Sequence, residues 1–179
     1  MNIALLEVFY DEYEYVSYYT VRLEIDEQKE ALSETDKFYK LYNDPNHLYY
    51  KEFGTILSAI DAMGFNKRGA ERWILREEDA ALALPPKRKP AEKVLLLEVI
   101  EHSKLRLYCI WLTNGVVILL NGGIKTRDSA LDCPNVSGQF RFAQSIAKAI
   151  YSLMADGSII IEDNEIINNT GEQDIVLYY

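Results

Sequence analysis

Histidine and cysteine are the scarce residues of this 179-residue chain, which holds two of each. His47 and His102 are not closely spaced with each other or with Cys109 and Cys133. The usual metal-ligand patterns and a disulfide framework are both excluded on that ground. No metal and no cofactor are expected, and two free thiols suit a reducing compartment. Cys109 alternates within an apolar strand pattern and is expected to be buried. Cys133 precedes Pro134 and is expected in a polar loop. Long apolar runs are missing too: Val116 to Leu120 falls far short of the ~18 residues a membrane span needs. The first 20 residues carry Glu7, Asp11, Glu12 and Glu14, the wrong charge for a secretory or transit leader. A cytoplasmic protein with no membrane association is the expectation. Catalytic signatures are equally sparse. There is no Gly-rich phosphate loop, no Gly-x-Ser-x-Gly elbow, no His-Glu-x-x-His and no Cys-x-x-Cys.

What is present is an ordinary globular balance, 49% apolar and 26% charged, at a length that suits one domain spanning residues 1–179. The net charge of −9 argues against indiscriminate nucleic-acid binding, but it conceals an asymmetry. Residues 1–66 hold 5 basic and 13 acidic side chains, residues 67–148 hold 14 and 9, and residues 149–179 hold none and 6. A positive middle thus lies between two acidic ends. Its reach is short, because the Debye length near physiological salt is about 8 Å.

Ile3 to Phe9 and Val16 to Ile25 are rich in Val, Tyr, Phe and Ile and read as two strands of a hairpin, or as one interrupted strand. Tyr10, Tyr13, Tyr15, Tyr18 and Tyr19 could stack bases, but the surrounding carboxylates would repel phosphate. A structural role for them is favoured. Ser33 caps a first helix with Asp36 reciprocating, and Asp44-Pro45 ends it. A second helix is expected from about His47 to Met63, with Gly64 just past its end. Trp73 to Leu75 suggest a third short helix that Ala80 to Leu84 continue, and Pro85-Pro86 then enforce an extended path. Val94 to Ile100, Leu105 to Leu112 and Val116 to Leu120 read as strands. Asn114-Gly115 between the last two is a strong hairpin signal. Phe140 to Met154 forms the last helix, and Ser158 to Ile161 and Ile175 to Tyr178 close the chain as short strands. The fold class is α+β: a small antiparallel sheet packed against an N-terminal helical pair and a C-terminal helix, with an N-terminal strand extension and acidic C-terminal strands.

The chemical signal is cationic. Lys87, Arg88 and Lys89 follow the two prolines, Arg106 lies in a strand, Lys125 and Arg127 follow the next strand, and Arg141 and Lys148 lie on the last helix. Arg106 alternates with Leu105 and Leu107, so it points to the opposite face of the sheet and requires either a carboxylate partner or a wet groove. The run Leu105-Arg106-Leu107-Tyr108, then Asn114-Gly115, then Val116 through Asn121-Gly122-Gly123-Ile124-Lys125-Thr126, resembles the sheet core of the RelE/HigB toxin superfamily. The order of elements extends the resemblance over about residues 30–150, and the motif itself over about 20 residues. The resemblance implies a bacterial toxin of a toxin–antitoxin system, a metal-independent mRNA endoribonuclease that works at the ribosome and is neutralised by an antitoxin protein. Arg106, Lys125 and Arg127 would be its catalytic, phosphate-facing cations, with Lys87, Arg88, Lys89 and Arg141 as further RNA-binding residues. His102 is the one candidate for a general base. This chain departs from the family in being longer and acidic. The alternative from another class is a non-catalytic protein of the same fold that uses its sheet and Tyr-rich strands to bind a protein. The RNA reading requires the cations to share one face and not to be already neutralised there by carboxylates.

Overall fold

The computed structural model describes residues 2–78, 81–86 and 102–179. β1 (Ile3–Tyr10) and β2 (Ser17–Ile25) form the expected antiparallel pair, with Ile3 opposite Glu24 and Val8 opposite Tyr19. β3 (Gln28–Lys29) folds back on the end of β2. α1 (Glu34–Tyr42) opens on the predicted capping box: the Ser33 hydroxyl accepts from the Asp36 N–H, and the Asp36 carboxylate accepts from the Ser33 N–H. α2 spans Tyr50–Phe65, and a single 3-10 turn covers Arg72–Ile74. Two short strands follow, β4 (Arg76–Glu78) and β5 (Ala81–Leu84). β6 (Leu105–Thr113) and β7 (Val116–Ile124) form the hairpin that Asn114-Gly115 announces. α3 (Ser137–Ala155), β8 (Ile159–Glu162), β9 (Glu165–Asn168) and β10 (Ile175–Tyr178) complete the chain.

The strands join in the order β10-β1-β2-β7-β6-β5-β4, with β3 alongside β2, and β8 and β9 form a separate hairpin. Among the described residues every pairing is antiparallel except β2 with β7, where Ser17, Tyr18 and Tyr19 run parallel to Val116, Val117 and Ile118. A parallel neighbour needs a long crossover, and α1, α2 and the β4–β6 segment supply it. The architecture is α+β, with a mostly antiparallel sheet that is larger than the small one expected.

Strand alternation sorts the core into two layers. Tyr108, Ile110, Val116, Ile118 and Leu120 pack against Phe140, Ala143, Ile146 and Ile150 of α3. Leu105, Leu107, Cys109, Val117 and Leu119 pack against Phe38 of α1 and Phe53, Ile56, Ile60 and Met63 of α2. Phe38, Phe53 and Phe140 are fully buried, each contributing roughly 1.5–3 kcal/mol relative to an exposed position.

Three local expectations are corrected. The helix expected over 73–84 is one 3-10 turn and then strand: in Ala81-Leu82-Ala83-Leu84 the tertiary pairing with β6 overrides the helical preference of Ala and Leu. Leu82 and Leu84 face α1 and α2 while Ala83 faces α3. Gly64 is not a helix cap but lies inside α2. A Cβ there would sit 2.3 Å from Tyr13 Cδ1, so the glycine lets the β1–β2 connection approach the helix. Cys133 does lie in the loop before α3, but its side chain is fully buried rather than in a polar setting, and its Sγ accepts from the Thr126 N–H at 3.3 Å. The strand expected at Val94 to Ile100 lies outside the described residues. No helix among the described residues is long and apolar enough to cross a membrane.

The tyrosines are structural. Tyr10, Tyr13 and Tyr18 meet edge-to-face near Phe9 and Phe65, Tyr18 donates to the Ile60 carbonyl at 2.8 Å, and Tyr13 donates to Asp61. On the other side of the sheet the Tyr19 hydroxyl accepts from the Ile166 N–H at 2.9 Å, tying β9 to β2.

Candidate functional site

β6 and β7 pair residue for residue until Tyr108, opposite which β7 carries one extra residue: Leu107 faces Gly122, but Cys109 faces Leu119. A bulge of this kind re-aims the side chains that follow it. Val116, Ile118 and Leu120 face α3, yet Ile124 packs on the α1–α2 side. Lys125 therefore emerges on the α3 side, which is also the side of Arg106. Gly122 makes the bulge feasible, since a Cβ there would fall 1.8 Å from the Arg106 carbonyl oxygen.

Arg106 and Lys125 meet on one carboxylate. Arg106 Nε donates to Glu78 Oε1 at 2.7 Å, and the Lys125 ammonium donates to Glu78 Oε2. A third cation stands beside them: Arg76 Nη1 is 3.7 Å from Glu78 Oε1. Arg76 and Glu78, two residues apart on β4, share a face and are both buried, with Glu77 exposed between them. Arg106 is fixed further by donating from Nη1 to the Ser103 and Leu105 carbonyls at 2.7 and 2.9 Å. Ser103 and its neighbours are in turn held by Glu52 of α2. Glu52 Oε2 accepts from the Ser103 hydroxyl at 2.6 Å and from the Lys104 and Leu105 N–H groups at 2.7 and 2.9 Å.

These residues floor an open cleft of about 420 Å³. His102, Lys104, Arg127 and Asp128 stand at its rim. Among the described residues that line it are five Lys or Arg side chains and three carboxylates, so this described lining carries a net positive charge within a negative molecule. Burial alone would raise the Glu78 pKa, but the hydrogen bonds from Lys125 and Arg106 outweigh it and hold the carboxyl below its ordinary value. The opposite holds at Arg76, whose pKa is depressed first by burial and then by the neighbouring Arg106 charge, against the pull of Glu78. Among the described residues, no group of three or more His, Cys, Asp or Glu side chains could hold a metal ion.

Comparisons with family models, curated proteins and solved structures find no match to this chain. Function has to come from the cleft itself.

Of the residues singled out in the sequence, Arg106 and Lys125 are brought together on one face, as the RNA reading requires, but both are already paired to the Glu78 carboxylate, which counts against it; Arg127 stands exposed at the same rim. Arg141 is exposed on α3 and does not line the cleft, and Lys87, Arg88 and Lys89 lie outside the described residues. His102 is at the rim, exposed, with φ of 61°. Sequence reasoning missed Arg76, Glu78 and Glu52. The first two carry a signal, since Arg76 and Glu78 stand two residues apart, the strand spacing that puts opposite charges on one face, but a helix was expected there. Glu52 carries none, because its partners lie some fifty residues away in the chain.

Proposed function

We propose that this chain is a RelE/HigB-like, RNA-acting protein of the toxin–antitoxin type, a metal-independent endoribonuclease whose phosphate-holding centre is the cleft of Arg106 and Lys125. The observation that supports it is the convergence of these two cations with Arg76 in one cleft whose charge is only partly offset by Glu78. A phosphodiester entering the cleft would place its non-bridging oxygens against Arg106 and Lys125, with Arg127 at the rim holding the adjoining backbone. In the cleavage step the ribose 2′-oxygen attacks phosphorus and the bond to the 5′-oxygen breaks. That leaves a 2′,3′-cyclic phosphate and a 5′-hydroxyl. The 2′-proton passes to a base, and a proton is delivered to the departing oxygen. Fixed cations stabilise the charge that builds on the phosphoryl oxygens, and His102 is the rim residue suited to proton transfer. An antitoxin protein and ribosome-bound mRNA in a bacterial cytoplasm are the partners this reading carries.

A second reading has its own observation. Glu78 already engages Arg106 and Lys125, as a structural ion pair would, and large apolar side chains such as Leu48, Phe65 and Trp73 are exposed. On that reading the chain keeps the fold without catalysis and binds a protein. Expression in a bacterial host separates the two. Growth arrest with transcript cleavage, relieved by Arg106→Ala/Lys125→Ala, supports the nuclease. Adding Glu78→Gln to that variant removes the carboxylate that would otherwise be buried with both of its hydrogen-bonded cations gone. Harmless expression of the folded wild type supports the protein-binding reading.

A further inference from the structure

The Glu78 cluster is unbalanced. Three cations face one carboxylate, and both carboxylate oxygens are already engaged, one by Arg106 and the other by Lys125. Arg76 is left over. It is 9% exposed, its Nε makes no hydrogen bond, and its Nη1 stands 3.7 Å from Glu78. That separation exceeds the ~2.7–2.9 Å of a charge-assisted hydrogen bond. A buried guanidinium with an unmet donor is unfavourable unless something else completes it, and here it borders an open cleft.

We propose that Arg76, Arg106 and Lys125 form the seat of a single phosphate-type oxyanion, and that Glu78 is its resident counter-ion, an internal carboxylate that the ligand's oxygens displace. A tetrahedral oxyanion offers more acceptor oxygens than a carboxylate, enough to satisfy Arg76 as well as the other two. Arg106 does not depend on Glu78 for its position, because the Ser103 and Leu105 carbonyls hold its Nη1. The Arg106 part of the seat is therefore pre-organised with or without the carboxylate. Glu78 itself is carried on β4, a three-residue strand that is at the edge of the sheet among the described residues. The inference rests on the phosphate-binding half of the proposed function and not on cleavage. It assigns Arg76 to the site and makes Glu78 the residue that sets affinity.

The test is titration of inorganic phosphate into purified full-length protein, by calorimetry and by thermal shift, against chloride at equal ionic strength. Glu78→Gln keeps the side-chain size and removes the competing charge. It is expected to tighten phosphate binding about tenfold or more, the scale of a lost charge-assisted contact, and to make the melting temperature rise more steeply with phosphate than in the wild type. Adding Arg76→Met to Glu78→Gln should reverse most of that gain. Equal phosphate affinity in wild type and folded Glu78→Gln, no phosphate binding by either, or an equal response to chloride would overturn the proposal. If Glu78→Gln fails to fold with or without phosphate, Glu78→Asp takes its place. With its shorter carboxylate withdrawn from the cations, this variant should also bind phosphate more tightly than the wild type, and parity would sink the idea. Tight phosphate binding by Glu78→Gln with RNA left uncut by either protein upholds the seat and removes the nuclease.

Discussion

Glu78 concentrates the electrostatics of the cleft in one side chain. Its carboxyl is held below its ordinary value of 4.5, so the stability it contributes is complete above that value and is lost as the pH falls through the lower folded-state value. Acid titration of unfolding is expected to show a loss of stability below about pH 4.5 in the wild type that is reduced in Glu78→Gln. An identical acid limb in the two proteins would contradict the pairing. Glu52 acts on the same cleft at one remove. Its Oε2 collects three donors from residues 103–105, and Glu52→Ala leaves two backbone N–H groups and a hydroxyl without it. A loss of about 1–3 kcal/mol in urea unfolding is expected. Anion affinity should weaken at the same time, because the loop that anchors Arg106 is freed.

At the scale of elements, two glycines of one helix give opposite predictions. Gly54 of α2 has no neighbour within 4 Å of a built Cβ, so Gly54→Ala should raise stability by up to about 1 kcal/mol. Gly64 of the same helix is pressed on Tyr13, and Gly64→Ala should cost about 1–3 kcal/mol as the aromatic cluster is displaced. Thermal melts of the two variants decide the point. If both shift the same way, the close approach of Tyr13 is wrong. The same contrast explains what the sequence discloses. The β6–β7 hairpin is legible because its turn and both apolar runs are local, and the Ser33–Asp36 cap is legible for the same reason. β4 and β5 are not, because Ala and Leu favour helix and only the pairing with β6 makes them strand. β9 escapes notice as well. Its hairpin turns on Asp163 and Asn164, both at positive φ, in a stretch too short and too acidic to stand out. Arg106 is recognisable as a charge in need of a partner, but the partner lies 28 residues away and on a different strand.

For the whole molecule, the strands of the acidic ends, β10, β1 and β2, lie on one half of the sheet and those of the basic middle, β7, β6, β5 and β4, on the other, while α1 and α2 of the acidic N-terminal part pack over β6 and β7. The strands themselves carry little net charge, so a polyanion meets its attraction at the cleft, within about one Debye length of 8 Å. Binding of single-stranded RNA should therefore weaken with salt, with a shallow slope that reflects only a few phosphates.

The most direct measurement is the affinity of purified protein for a short single-stranded RNA, read by fluorescence anisotropy in wild type, Arg106→Ala/Lys125→Ala/Glu78→Gln and Lys40→Ala, the last a change on α1 outside the cleft. The cleft account predicts that the triple variant, still folded, loses at least about tenfold in affinity while Lys40→Ala stays within about twofold. Equal binding by all three proteins would contradict it.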